Sequence, residues 1–147
     1  MPRDHRPAKS IRVLLAEDGA MSRGGLAVLL GLVDDIQVVA QVPTGDALVD
    51  AALVHRPDVA LLDVELPGVS GLDAAADLRD QVPDCRVLIL TTFARPGLPQ
   101  RALAAGAAGL LIKDGPVEEL ATAIRRALRG ETVIDPALAG AEHRLTD

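Results

Sequence analysis

Acidic, hydroxyl and lysine side chains follow directly after four separate apolar segments of this sequence. A carboxylate with a lysine and a hydroxyl beside it can accept and hold a phosphoryl group, and clusters of acidic oxygens bind hard divalent cations. If the fold brings these side chains together, the sequence predicts a phosphoryl-accepting metal site. The residues concerned are Glu17, Asp18, Asp63, Thr91, Thr92 and Lys113.

The apolar segments alternate along the chain with segments of helical periodicity. Five short apolar runs begin at positions 11, 36, 58, 85 and 108, and they are mostly continuous, which is typical of strands covered on both faces. The helical periodicity is clearest from Val117 to Leu128 and also places Leu48, Ala52 and Val54 on one face. This alternation predicts a three-layer α/β domain with a doubly wound parallel sheet.

Such a sheet determines where the predicted site residues meet. Ligands of open parallel sheets bind beyond the carboxyl ends of the strands, and all of these residues follow such ends. The carboxylates of Glu17, Asp18 and Asp63 would repel one another unless a cation shared the site. We therefore predict that Mg²⁺, or Mn²⁺ in its place, binds there and that Lys113 supplies a second positive charge.

The composition limits the classes of function that this chain can have. At 147 residues it fits one domain, and a single cysteine, Cys85, favours the reducing cytoplasm. No apolar run is long enough for a membrane span, so no membrane partner is expected. The formal net charge of -6 disfavours nonspecific binding to nucleic acid. We interpret the basic cluster of Arg125, Arg126 and Arg129 as a solvated helix face rather than a phosphate-binding patch.

The motifs around the predicted site resemble the receiver domain of bacterial two-component response regulators. The segments LTTFARPG and KDGPVEELATAIRRALRGETVIDP are similar to NarL/LuxR-type receivers of the desaturase-regulator-like subgroup. The resemblance implies a flavodoxin-like fold, with a five-stranded parallel sheet of order 2-1-3-4-5 and five helices. The motifs that carry it are Glu17-Asp18, Asp63 with Leu66-Pro67-Gly68 and Gly71, Thr91, and Lys113 after Ala105-Gly106-Ala107-Ala108-Gly109.

The resemblance also implies how a metal and a phosphoryl group are held. Asp63 would be the phosphoacceptor, which takes its phosphoryl group from a sensor histidine kinase, and it would also ligate Mg²⁺. Asp18 would bind the metal directly, whereas Glu17 would do so through water or at the rim. The backbone carbonyl of Glu65 would complete the protein ligands of the metal.

A second set of residues would respond to the phosphoryl group. By the same resemblance, the hydroxyl of Thr91 and the ammonium of Lys113 would contact phosphoryl oxygens, and Thr92 is the secondary candidate for the hydroxyl. Leu110 stands where many receivers carry an aromatic switch residue. Coupling through an aromatic switch is therefore not expected, and packing or loop order would have to replace it.

The domain organisation follows from the same interpretation. We expect an N-terminal extension at 1–9, a receiver domain at 10–130, and a linker or tail at 131–147 with a short helical turn at 136–142. The linker would lead to a C-terminal helix-turn-helix domain that is absent here, and DNA would be bound only through that domain. A homodimer would form on phosphorylation, through either the first and last helices or the face of the fourth helix.

Two other functions stay open. The chain could be a stand-alone receiver or phosphorelay protein that acts by protein contact. More remotely, it could be a phosphatase of the aspartyl-phosphate type, although that class typically has a second Asp where this sequence has Glu65. The favoured interpretation is a switch and not an enzyme. Such a switch would at most phosphorylate itself from small donors and hydrolyse its own phosphate.

Overall fold

The computed structural model describes residues 10–139, so the predicted extension at 1–9 and the segment 140–147 lie outside the described residues. Within residues 10–139, no helix is long and apolar enough to cross a membrane. The strands are β1 (Ile11–Ala16), β2 (Ile36–Val42), β3 (Val59–Asp63), β4 (Arg86–Thr91), β5 (Gly109–Ile112) and β6 (Val133–Ile134). The helices are α1 (Ala20–Gly31), α2 (Leu48–His55), α3 (Gly71–Gln81), α4 (Leu98–Ala104) and α5 (Val117–Leu128).

The strands form one parallel sheet in the order β2-β1-β3-β4-β5-β6. The predicted doubly wound flavodoxin-like fold and the strand order 2-1-3-4-5 are therefore confirmed. The sheet has a sixth strand that was not predicted. This short strand, β6, lies in the predicted linker and pairs with β5 through Gly109 and Leu110. A side chain at 109 would place its Cβ 2.2 Å from the carbonyl oxygen of Val133, so glycine permits this pairing. Two residues are too few to show strand periodicity in a sequence.

The sheet separates two apolar layers. One layer packs under α1 and α5 and includes Leu15, Leu61 and Ile124. The other packs under α2, α3 and α4 and includes Leu62 and Leu78. Successive residues of each strand point alternately into these layers, which explains why the strands are continuously apolar.

The helical turn predicted at 136–142 is present at 136–139, and its remainder lies outside the described residues. One helix face differs from the prediction. Leu48 and Ala52 are fully buried, but Val54 is 74% exposed. Val54 lies six residues after Leu48, about 240° around the helix axis, so it faces away from the sheet.

The basic cluster at the end of α5 is paired with acids. Arg125 donates two hydrogen bonds of 2.9 and 2.8 Å to the carboxylate of Asp35. This hydrogen bonding holds the pKa of Asp35 below its ordinary value. Arg126 and Arg129 both pair with Glu131. Since each of the three arginines has an acidic partner, the cluster has the character of a solvated helix face.

Candidate functional site

Strand alternation brings three charged side chains to the carboxyl edge of the sheet on one face. Side chains two residues apart in a strand point to the same side. Glu17, Asp63 and Lys113 each stand two residues after a buried leucine of the layer under α1 and α5, so all three project toward that side. The preceding leucines are Leu15, Leu61 and Leu111.

Asp63 lies at the centre of this group. It is 8% exposed, and its Oδ1 accepts a hydrogen bond of 3.0 Å from the N–H of Glu65. Its Oδ2 accepts a hydrogen bond of 2.9 Å from Nζ of Lys113. The same ammonium forms an ion pair with Oε1 of Glu17, which is 3% exposed. Lys113 therefore bridges two carboxylates that are both removed from water.

The position of Lys113 fixes its charge. Burial alone would lower the pKa of this lysine, because it removes the ammonium from water. The hydrogen bonds that Lys113 donates to Glu17 and Asp63 outweigh that effect and hold the pKa of Lys113 above its ordinary value. Lys113 is therefore a fixed positive charge beside Asp63 at physiological pH.

The acidic residues predicted as metal ligands are also together. Ligand oxygens of Glu17, Asp18 and Asp63 all lie within 4.8 Å of one another, with Asp18 exposed at the mouth. Three carboxylates and one ammonium carry two net negative charges, which a divalent cation would neutralise. An all-oxygen donor set with an exposed mouth fits Mg²⁺, which keeps several waters. A cavity of about 250 Å³ faces these groups and is lined by Glu17, Ser22, Leu26, Leu29, Asp63, Leu90, Lys113, Asp114 and Gly115.

The two threonine candidates differ in their surroundings. Thr91 is the last residue of β4 and is fully buried, and its Oγ1 donates a hydrogen bond of 3.0 Å to the carbonyl oxygen of Phe93. Thr92 is exposed. Leu110 is fully buried in the layer under α2, α3 and α4, on the other side of the sheet from Lys113. Because residue 110 is a leucine, this position has no aromatic ring that could turn between solvent and core.

Glu65 forms two contacts, one through its backbone and one through its side chain, and the sequence indicates only the first. Its backbone N–H reaches Asp63, whereas its exposed carboxylate pairs with Nη2 of Arg95 at 2.5 Å. The guanidinium of Arg95 also lies over the ring of Phe93. No sequence pattern indicates these contacts, because Glu65 and Arg95 lie in different loops and are 30 residues apart.

The loop after Asp63 passes very close to the start of α3. Gly71 donates its N–H to the carbonyl of Val64, and a Cβ at position 71 would lie 2.3 Å from the carbonyl oxygen of Asp63. The side chain of Ser70 caps the helix by accepting from the N–H of Asp73. Glycine at 71 thus allows the helix to begin directly beside the backbone that carries Asp63.

We expect Gly71→Ala to lower the free energy of unfolding by about 2 kcal/mol or more, because the added methyl group would displace backbone next to Asp63. Chemical denaturation measures this change. The control is Gly24→Ala in α1, where a Cβ would meet no atom within 4 Å. That change should raise stability by about 0.5 to 1 kcal/mol. Equal effects of the two substitutions would contradict the steric explanation.

A doubly wound parallel sheet with an acidic cluster and a partly buried lysine at its carboxyl edge defines the class of receiver-type switch domains. The chain matches the family model of the response regulator receiver domain over residues 13–125, and it belongs to this family. The resemblance inferred from the sequence is therefore confirmed. Domains of this family act as switches and not as classical enzymes.

Within this family, the similar individual proteins include response regulators of the NarL/LuxR type. The transcriptional regulatory protein DesR of Bacillus subtilis (strain 168) is 48% identical over 128 residues, which cover 87% of this chain and 63% of DesR. The signal receiver domain of the response regulator NarL from Mycobacterium tuberculosis is 33% identical, with a TM-score of 0.79 over 84% of this chain and 99% of that domain.

A third relative extends the match to nearly all of this chain. A LuxR-family two-component response regulator from Aurantimonas sp. SI85-9A1 has a TM-score of 0.87 and 26% identity, over 94% of this chain and 99% of that one. Curated relatives are longer than the matched region, because this chain spans 60 to 64% of their length.

Proposed function

We propose that this chain is a phosphorylation-activated switch in which Asp63 accepts a phosphoryl group from a sensor histidine kinase. One observation carries the proposal: the buried Asp63 carboxylate contacts Lys113 and lies within 4.8 Å of the carboxylate oxygens of Glu17 and Asp18. A nucleophilic carboxylate, a fixed cation and a cluster of metal-binding oxygens are the groups that aspartyl phosphorylation requires.

The transfer is a displacement at phosphorus. A bond forms between a carboxylate oxygen of Asp63 and phosphorus, while the bond from phosphorus to the phosphohistidine nitrogen of the kinase breaks. The electron pair of the broken bond leaves with that nitrogen, which takes up a proton. Lys113 remains beside the product and pairs with the added negative charge. Thr91 donates its hydroxyl to a phosphoryl oxygen once it leaves the carbonyl of Phe93, and the exposed Thr92 stays the secondary candidate.

Mg²⁺, or Mn²⁺, would be held by Asp18, Asp63 and the backbone carbonyl of Glu65, with Glu17 at the rim. When bound, the metal would neutralise the carboxylates and the charge that develops on the phosphoryl oxygens. Glu17 and Lys113 form an ion pair that keeps one carboxylate of the cluster occupied by a protein cation. This pairing supports a peripheral position for Glu17 and a direct one for the exposed Asp18.

The test is incubation of the protein with Mg²⁺ and a small phosphodonor, followed by mass measurement of the intact chain. We expect one added phosphoryl group, no addition when a chelator removes the divalent ion, and release of the group by hydroxylamine, which cleaves acyl phosphates. Stable incorporation on another residue, or no incorporation from any donor or kinase, would refute the proposal. Multiple turnover of unrelated phosphomonoesters would favour a phosphatase instead.

We further propose that residues 10–130 form the receiver domain and that 131–147 lead to a C-terminal helix-turn-helix domain, through which alone DNA is bound. The greater length of relatives such as DesR, a transcriptional regulatory protein, supports this organisation. Phosphorylation would shift an equilibrium between two conformations and so promote a homodimer. If the natural chain lacks such a domain, the switch acts by protein contact alone.

The surface of α1 supports the choice of a dimer face. Met21, Val28 and the C-cap residue Leu32 are 92%, 66% and 74% exposed, and their spacing places them on one side of the helix. Gly25 lies on the same side and would allow a second helix to approach closely. In α4 the exposed large apolar side chain is Leu103, so within the described residues that face is the less apolar of the two. We therefore place the phosphorylation-dependent dimer on the α1 face.

We expect Leu32→Asp to raise the dissociation constant of the phosphorylated dimer at least about tenfold, because a carboxylate would have to lose its water in the interface. Analytical ultracentrifugation of the phosphorylated protein measures this constant. The matched control is Val54→Asp on α2, where the side chain is equally exposed at 74%. If the two variants dimerise equally well, the dimer lies elsewhere.

A further inference from the structure

Two loops beside Asp63 are joined by side-chain contacts that the proposed phosphoryl transfer does not use. Arg95, in the loop between β4 and α4, places Nη2 at 2.5 Å from Oε2 of Glu65, in the loop between β3 and α3. Its guanidinium also lies 5.0 Å from the centre of the Phe93 ring, which is within the range of a cation–π contact. We call these contacts among Glu65, Phe93 and Arg95 the loop latch.

Each end of the loop latch touches a group of the proposed site. At one end, the N–H of Glu65 donates to Oδ1 of Asp63 at 3.0 Å. At the other end, the carbonyl oxygen of Phe93 accepts the hydroxyl of Thr91 at 3.0 Å. The loop latch therefore joins the loop of the phosphoacceptor to the loop that fixes the direction of the Thr91 hydroxyl.

The contacts of the loop latch are suited to opening. The Glu65 carboxylate and the Phe93 ring are exposed, and ion pairs and cation–π contacts in water contribute little individually. Weak contacts bias an equilibrium between two conformations without excluding either one. Arg95 also accepts the N–H of Leu98 through its carbonyl at 3.2 Å, so the same residue forms the turn that leads into α4.

We propose that Arg95 is a positioning residue, which holds the unphosphorylated arrangement of the site through the loop latch. While the latch is closed, the Thr91 hydroxyl stays on the carbonyl of Phe93 and does not reach a phosphoryl group on Asp63. Engagement of Thr91 with the phosphoryl group therefore requires the β4–α4 loop to leave Glu65. Arg95 opposes the phosphorylated conformation, and this inference rests on the proposed phosphorylation of Asp63.

The test compares Arg95→Gln, Arg95→Lys and the control Arg101→Gln in the presence of Mg²⁺ and a small phosphodonor. Arg101 is exposed on α4, so its substitution removes the same charge without touching the loop latch. We expect Arg95→Gln to be phosphorylated about threefold to fivefold faster than wild type, the range that loss of one exposed ion pair allows. Arg95→Lys, which keeps the charge, should restore most of the wild-type rate, and Arg101→Gln should leave the rate unchanged.

A second measurement reports the arrangement of the site directly. Without any donor, the methyl signal of Thr91 in an NMR spectrum of Arg95→Gln should move toward its position in phosphorylated wild type. The double variant Glu65→Gln/Arg95→Gln should match Arg95→Gln in this signal, because both changes break the same contact. A loss of stability alone would not move the Thr91 signal in that direction.

The outcomes separate the two proposals. If wild type accepts no phosphoryl group from any donor or kinase, the proposed function fails. If wild type is phosphorylated on Asp63 but Arg95→Gln matches Arg101→Gln in rate and in the Thr91 signal, only the loop latch fails. A slower Arg95→Gln that Arg95→Lys restores would mean that Arg95 assists the transfer, which also overturns the latch.

Discussion

Asp63→Asn is expected to abolish phosphorylation by small donors and by a kinase, with a fall in rate of at least about a hundredfold. The asparagine amide has nearly the shape of the carboxylate but lacks its charge, so it is a very poor nucleophile toward phosphorus. The substitution also removes one anionic oxygen from the acidic cluster of the proposed metal site, and the affinity for Mg²⁺ should fall at least about tenfold. Intact-mass measurement and calorimetric Mg²⁺ titration give the two quantities.

The fold should tolerate this substitution. Lys113 keeps its ion pair with Glu17, so neither a buried cation nor a buried anion is left without a partner. The control is Asp77→Asn, which removes one exposed carboxylate from α3 and should be phosphorylated like wild type. Phosphorylation of Asp63→Asn at the wild-type rate would show that another residue is the acceptor.

The central part of the site could be predicted because it depends on local sequence features. Apolar runs define the strands, and alternation then fixes the side of the sheet on which the next residues lie. Glu17, Asp63 and Lys113 share the phase of the leucines two positions before them, and they do meet in the structure.

Other features could not be predicted, because they depend on contacts between distant segments. The pairing of Arg95 with Glu65 depends on how two loops approach across the sheet edge, which no periodicity records. Strand β6 forms because β5 offers an unpaired edge and Gly109 leaves room for its backbone. In both cases a few residues are held by tertiary structure, and their own sequence carries too little local preference to indicate it.

Lys113→Ala is expected to lower the free energy of unfolding by about 2 to 4 kcal/mol in the absence of Mg²⁺, because it leaves two buried carboxylates without their shared cation. Added Mg²⁺ should stabilise this variant more than wild type, since in the proposed site the metal would bind the folded state and neutralise the same carboxylates. Chemical denaturation with and without Mg²⁺ measures both effects. Some phosphorylation of Asp63 should persist, but the phosphorylated variant should no longer dimerise.

The loss of dimerisation separates the function of Lys113 from its contribution to stability. In saturating Mg²⁺ the variant should be folded, so a failure to dimerise would reflect the missing ion pair between Lys113 and the phosphoryl group. Arg101→Ala, which removes an exposed cation from α4, is the control and should change neither stability nor dimerisation appreciably. If phosphorylated Lys113→Ala dimerises like wild type, Lys113 only stabilises the folded protein. Phosphorylation of Asp63 would then be coupled to dimerisation through Thr91 and the β4–α4 loop.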